Sequence, residues 1–180
     1  MHQFLRRMWG AATLNAAVYE EVEADSQATL QAVAVIALGS LATGFGAAGW
    51  HAHPSSFLTS SVVVGCLGLM AWVSWAFVTF EIGSRLLPER ETRVTVPQLL
   101  RTLGFSAAPA VVLALGAFGA TTPVFVATAL WMLATMVVAV RQALDYRSTA
   151  RALAVCTLGW LLTLVFIIVL GALFGPALGA

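Results

Sequence analysis

The stretch Glu81–Ala110, EIGSRLLPERETRVTVPQLLRTLGFSAAPA, joins the longest charged segment of the chain to an apolar segment interrupted by Gly104 and Pro109. Its flanks decide the fold. Hydrophobic residues make up 60% of the 180-residue chain and charged residues only 9%, where an average soluble domain carries about 25% charged residues. A hydrocarbon core ~30 Å thick takes about 20 apolar residues per helix. A chain of this length therefore holds several membrane spans and leaves no room for a separate soluble domain.

Upstream of Glu81, the apolar runs at about 30–50 and 59–80 are each long enough to cross, with the uncharged loop HAHPSS between them. Downstream, the run at about 104–120 is a marginal third segment of roughly 25 Å at 1.5 Å per residue. Thr122 then caps a new helix with Pro123 at its first position, where the missing N–H has no partner to lose. The fourth run, about 124–140, stops at Arg141, and the fifth covers about 152–174. The expected fold is an all-α integral membrane protein with five transmembrane helices in residues 30–180, behind a cytoplasmic N-terminal segment of residues 1–29.

Topology follows from charge. All nine arginines and all eight acidic residues lie before the first run, between the second and third, or between the fourth and fifth. In a five-span chain those places share one side. The positive-inside rule counts Arg and Lys rather than net charge, which puts the N-terminus in the cytoplasm and the C-terminus outside. Every basic residue is Arg, a usage that fits a GC-rich bacterial genome and places the expected location in a bacterial inner membrane.

Within the first segment, Phe4, Leu5, Met8, Trp9, Ala12, Ala16, Tyr19 and Val22 recur at helical spacing. This predicts an amphipathic helix, lying on the membrane surface or packed on the bundle. Glu20, Glu21, Glu23 and Asp25 exclude an apolar run of signal-peptide type.

Few residues carry chemistry. Glu81 and Arg85 stand at i, i+4 with the acid first, the favourable order at a helix end, and Arg141 and Asp145 repeat the spacing below the fourth span. With Arg101 and Arg151 they put cations near the helix ends, where anionic lipid headgroups or a partner's carboxylates bind. Pro109 lacks the N–H that would reach the Phe105 carbonyl, so the helix kinks or breaks there, and Ser106, a neighbouring helix or water must satisfy the freed carbonyl. Gly171, Gly175 and Gly179 give small-xxx-small spacing for close helix packing, although Pro176 interrupts it.

Other candidates are weaker. His51 and His53 lack a third ligand on their face, Cys66 and Cys156 read as small core hydrophobes, and Trp72, Trp75, Trp131 and Trp160 read as packing or lipid contacts. No nucleophile with a base, no metal cluster and no phosphate-binding loop is visible. The expectation is a protein without catalysis, cofactor, metal or nucleic-acid partner. One internal likeness exists, Thr102-Leu103-Gly104-Phe105 against Thr157-Leu158-Gly159-Trp160.

The layout of a cytoplasmic segment and five spans, with EIGSRLLPE leaving the second and GFSAAPA entering the third, resembles the bacterial branch of the Yip (Ypt-interacting protein) family. YEEVEAD, RTLGFSAAPA and WMLATMVVAVRQALDYRSTARAL extend the likeness over most of the chain. Eukaryotic relatives carry a Gly-Tyr-x-x-x-Pro motif, which Gly104, Phe105 and Pro109 match with Phe for Tyr. Those relatives bind Rab-type GTPases through trafficking roles; the Asp-Leu-x-Gly-Pro segment that accompanies this is missing here, so no Rab-type partner is implied. The resemblance speaks to fold and topology; the absent chemistry, the one-sided charge and the surface helix give the leading expectation, a scaffold, membrane-organising protein or accessory subunit that meets membrane lipids, other membrane proteins or further copies of itself. The competing expectation is a small solute or ion transporter with a path near Gly104–Pro109.

Overall fold

In a computed structural model, described over residues 1–48, 54–89, 92–119 and 121–178, every regular element is helical. In chain order these are α1 (His2–Ala12), α2 (Ala16–Ala24), α3 (Ala28–Ala48), α4 (Pro54–Glu81) running into a π turn (Ile82–Leu86), α5 (Val96–Ser106) running into a 3₁₀ helix (Ala108–Phe118), α6 (Thr121–Ala143) and α7 (Thr149–Leu178). Four stretches are long and apolar enough to cross a membrane: Ala28–Gly46, Cys66–Leu86, Val96–Phe118 and Thr122–Ala143. α7 qualifies as an apolar helix over Thr149–Leu162 among its described residues.

Two expectations change shape. The single amphipathic helix of the first segment is a pair of helices, broken at Thr13–Asn15, that pack on α5, α6 and the 3₁₀ helix. The third span does not begin at Gly104 but at Val96. There the Thr95 N–H donates to Gln98 Oε1 at 2.8 Å, and Pro97 occupies the first turn, the arrangement of a capping box.

The core forms where the first segment meets the bundle. Tyr19, Val22, Ala32, Val35, Leu99, Phe105, Val140 and Leu144 are all fully buried. Large side chains on the outer faces of α4, α6 and α7 are exposed instead, among them Leu67, Met70, Phe77, Phe125, Leu130 and Leu161. Lipid asks for this inversion, since lipid tails are as apolar as leucine. Cys66 belongs to that exposed set and is not a core residue, whereas Cys156 is buried, and both thiols are free.

The loop after α6 locks onto the π turn. Leu87 N–H bonds the Ile82 carbonyl at 2.9 Å, and the Tyr146 hydroxyl donates to the carbonyls of Gly83 at 3.1 Å and Leu87 at 2.7 Å. A Cβ on Gly83 would come within 2.4 Å of Leu144 Cδ1. Only glycine lets the buried leucine seat there, so the residue after Glu81-Ile82 is fixed by packing.

Candidate functional site

The sequence-selected residues fall into two neighbouring zones, a charged cleft and a broken helix. α5 runs through both.

The cleft lies between α2, α5 and the end of α6, has a volume of about 450 Å³, and is lined by Glu20, Glu23, Gln98, Arg141, Gln142 and Asp145 among others. Gln98 Nε2 donates to Glu23 Oε1 at 3.0 Å, and Gln142 Nε2 donates to Glu20 Oε1 at 2.8 Å. Burial first and the nearby Asp145 second push the Glu23 carboxyl up to about 7, with Arg101 opposing. Glu23 is therefore close to half protonated at neutral pH. Sequence reasoning did not single out Glu20, Glu23 or Gln98 as a site; the run of acids in YEEVEAD was the available signal.

Arg101 has a different task from the contact with lipid headgroups or a partner's carboxylates expected of it. Its side chain is 8% exposed, and Nε donates to the carbonyls of Val22 at 3.0 Å and Glu23 at 3.1 Å, with Nη2 also on the Glu23 carbonyl. It covers the last carbonyls of α2, where a cation is favoured by the helix dipole. Arg141 likewise turns inward, Nε donating to the Tyr146 carbonyl at 3.2 Å. Arg151 pairs with Glu89 at 3.3 Å and donates to the Pro88 carbonyl at 3.1 Å. Glu81 and Arg85 form an exposed ion pair at 3.1 Å, a geometry worth a few tenths of a kcal/mol.

A second charged set, not selected from sequence, closes the first segment. Arg7 is 2% exposed and reaches Glu21 Oε1 at 2.9 Å, Gln31 Oε1 at 3.0 Å and Asp25 Oδ2 at 2.7 Å. Arg6 adds hydrogen bonds to both Glu21 oxygens at 2.6 and 2.7 Å. Arg6 foremost, and Arg7 after it, hold the Glu21 carboxyl down at about 2, and the Arg7 hydrogen bond lowers Asp25. One guanidinium thus ties α1 to α2 and to the first turn of α3.

At the break, α5 stops at Ser106, Ala107 turns, and the chain continues from Ala108 to Phe118 as a 3₁₀ helix rather than as a kinked α-helix. The Phe105 carbonyl, for which Ser106, a neighbouring helix or water was the expected partner, is met by the Ala107 N–H, while the Ser106 hydroxyl donates to the Leu103 carbonyl at 2.7 Å. It is the Ser106 carbonyl that takes an outside partner, Thr135 Oγ1 at 2.7 Å. A 3₁₀ helix rises about 2.0 Å per residue against 1.5 Å, so the run lengthens a segment that was marginal for a crossing. Gly104 is a contact point: a Cβ there would meet Ala32 Cβ at 2.6 Å and Trp72 Cζ2 at 3.3 Å. Phe105 and Pro109 are buried.

The internal likeness has a structural counterpart, since a Cβ on Gly159 would meet Trp75 Cη2 at 2.6 Å. Both repeated glycines seat a tryptophan of α4. Trp72 Nε1 donates to the Leu100 carbonyl at 3.0 Å and Trp131 Nε1 to the Ala12 carbonyl at 2.7 Å, roles beyond lipid contact. The surroundings of Gly171 and Gly175, and His51, His53 and Gly179 altogether, lie outside the described residues. Among the described residues no three His, Cys, Asp or Glu are grouped to hold a metal.

The family model of the Yip1 domain matches residues 15–170, which takes in the cleft, the break and all but the first helix and the last residues. No curated protein and no solved structure matches the chain. With four membrane-crossing stretches and a match over most of its length, this multi-pass membrane protein belongs to the Yip family.

Proposed function

We propose that the protein is a non-catalytic scaffold or accessory subunit of a bacterial inner-membrane complex, with five spans, its charged face in the cytoplasm and its C-terminus outside. The observation that carries this reading is the cleft. It is open and polar, carries the side chains of Glu20, Glu23 and Asp145, and has an Arg101 strut fixing one wall, yet it holds no paired nucleophile and base. Such a cleft suits a basic or amide side chain of a neighbouring membrane protein, or of a second copy, better than it suits turnover.

Purification from native membranes in mild detergent tests it. The wild-type chain retains a stable neighbour or self-association, and the double variant Glu20→Gln, Asp145→Asn releases it without loss of fold. A lone monomer from wild-type membranes would sink the reading.

Transport is the competing reading, favoured by the long 3₁₀ run and by apolar cavities of about 310 and 400 Å³ that both reach Ser106. Solute flux into liposomes, compared among wild type, Glu81→Gln and Pro109→Ala, decides it. No flux from any of the three removes transport.

A further inference from the structure

We infer that α1 and α2 form a re-entrant hairpin whose turn, Thr13–Asn15, sits among the acyl chains of the leaflet on the charged side of the protein. Its helices neither lie flat on the membrane nor stand in water. The first of them lies outside the residues matched to the family.

Four observations converge. The stretch MWGAATLNAAVY, residues 8–19, has no charged residue, while Arg6, Arg7, Glu20 and Glu21 stand at its two ends. The hairpin is therefore charged at its mouth and uncharged at its tip. Its helices close on each other at Gly10, where a Cβ would meet Val18 Cγ2 at 2.5 Å, and the Tyr19 hydroxyl donates to the Ala11 carbonyl at 3.0 Å.

Depth is set by Trp131, whose Nε1 donates to the Ala12 carbonyl at 2.7 Å. Trp131 lies ten residues before Arg141 on α6, about 15 Å along the helix, and Ala12 lies five residues beyond Arg7 on α1, about 8 Å. The two rulers bracket the tip within half of a ~30 Å hydrocarbon core.

The turn pairs its own N–H groups. Thr13, Leu14 and Asn15 N–H groups donate to the carbonyls of Trp9, Ala11 and Gly10 at 2.9, 3.1 and 3.0 Å. The Thr13 hydroxyl folds back to the Trp9 and Gly10 carbonyls, and the Asn15 side chain accepts from the Ala17 N–H at 3.1 Å. Backbone in lipid must be paired in this way.

Finally, Leu14 has φ +63°, the left-handed position that helix ends fill with Gly or Asn. A bulky residue there is strained, and this one is also 42% exposed. Leu5 and Trp9 continue the exposed apolar stripe at 54% and 72%. A strained, outward leucine gains from hydrocarbon and from nothing polar.

The test uses the full chain with Cys66 and Cys156 replaced by Ser and Ala, single nitroxide labels at Gln3, Leu14, Ala16 and Leu130, and phosphatidylethanolamine–phosphatidylglycerol vesicles. Collision with oxygen reports lipid, and collision with a nickel chelate reports water. Labels at Leu14 and Ala16 lose nickel access and keep oxygen access, as does Leu130 on the outer face of α6, while Gln3 keeps nickel access. Nickel access at Leu14 equal to that at Gln3 overturns the inference in favour of a hairpin in water. Loss of both overturns it in favour of a tip covered by protein. A label at Ala16, which has no backbone strain to relieve, keeps the result readable if labelling at Leu14 perturbs the turn.

Discussion

Two helices of this protein end in the same backbone turn. After α1, Leu14 N–H bonds Ala11 O and Asn15 N–H bonds Gly10 O; after α6, Asp145 N–H bonds Gln142 O and Tyr146 N–H bonds Arg141 O. Both are Schellman turns, and their left-handed residues, Leu14 at φ 63° and Asp145 at φ 52°, are the non-glycine residues with positive φ among those described. The backbone geometry is shared, so the side chain at that position reports its surroundings. Asp145 lines the charged cleft, and Leu14 faces outward from an uncharged tip. The same backbone turn thus carries an acid where it lines the charged cleft and a leucine where it faces outward from an uncharged tip.

The largest expected effect comes from two arginines, Arg7 at the mouth of the hairpin that carries the first turn and Arg141 on the second turn itself. Arg7→Leu takes the buried cation from Asp25 and from Glu21, which keeps only the exposed Arg6, and releases the α1–α2 hairpin; it is the more destabilising of the two. Arg141→Leu removes hydrogen bonds to loop carbonyls and costs about 1 kcal/mol. Thermal unfolding in nanodiscs checks the ranking. Equal losses would mean that the first turn is no more firmly held than the second.

Exchanging polarity at the turns comes next. Leu14→Asp places a carboxylate at the apolar tip and costs about 2 kcal/mol, below the roughly 3 kcal/mol of a bilayer-centre acid because the tip reaches only part of the way. Asp145→Asn keeps a residue that tolerates the left-handed conformation and changes stability by less than about 0.5 kcal/mol. Proteolysis of the first segment, rapid in Leu14→Asp and slow in Asp145→Asn, is the direct readout.

The cleft beside the second turn adds a pH dependence. Glu23 titrates near 7 in the fold against an ordinary 4.5, so between those values the folded state holds a proton that the unfolded chain has lost. Stability accordingly falls as pH rises from about 4.5 to 7 and levels off above it. Glu21 and Asp25 have lowered values, so their contribution is complete above the ordinary carboxylate range and is lost as pH falls toward 2. Glu23 faces Asp145, Arg101 and Glu20. Glu23→Gln removes the decline between pH 4.5 and 7, about 1 kcal/mol after allowing for solvent screening of a half-buried group. A decline that survives in Glu23→Gln assigns it elsewhere.

How much of this was readable depends on how local the cause is. Apolar length and one-sided charge are local, so the membrane class and the apolar segments followed from composition and spacing. Pro109 is local too, and the break stands where its missing N–H put it. The outcome was an extended 3₁₀ helix, against which α3 packs closely, a Cβ on Gly46 coming to 2.0 Å from the Leu113 carbonyl oxygen, a contact between segments distant in sequence. The hairpin was hidden by its own regularity: the apolar spacing from Phe4 to Val22 continues across the turn, and Leu14 is not a residue that announces a helix end. Arg101 was misjudged because its partners are the carbonyls of Val22 and Glu23, nearly eighty residues away. A cation near a helix end reads as lipid-facing until the other element is placed.

The smallest effect is the most discriminating. Glycine at a left-handed position removes backbone strain of about 1 kcal/mol for an ordinary side chain, and both turns hold such a position, at φ 63° and 52°. Asp145→Gly gives up a side chain that already tolerates the conformation, so the net gain is at most a few tenths of a kcal/mol. Leu14→Gly relieves more strain, yet it gives up apolar contact that has value only in hydrocarbon or against protein. In detergent micelles or nanodiscs the two changes at Leu14 nearly cancel. Amide exchange of the α1–α2 turn in nanodiscs is therefore nearly unchanged in Leu14→Gly. Slower exchange there would show that Leu14 gains nothing from its surroundings, and the two turns would then differ in sequence without differing in environment.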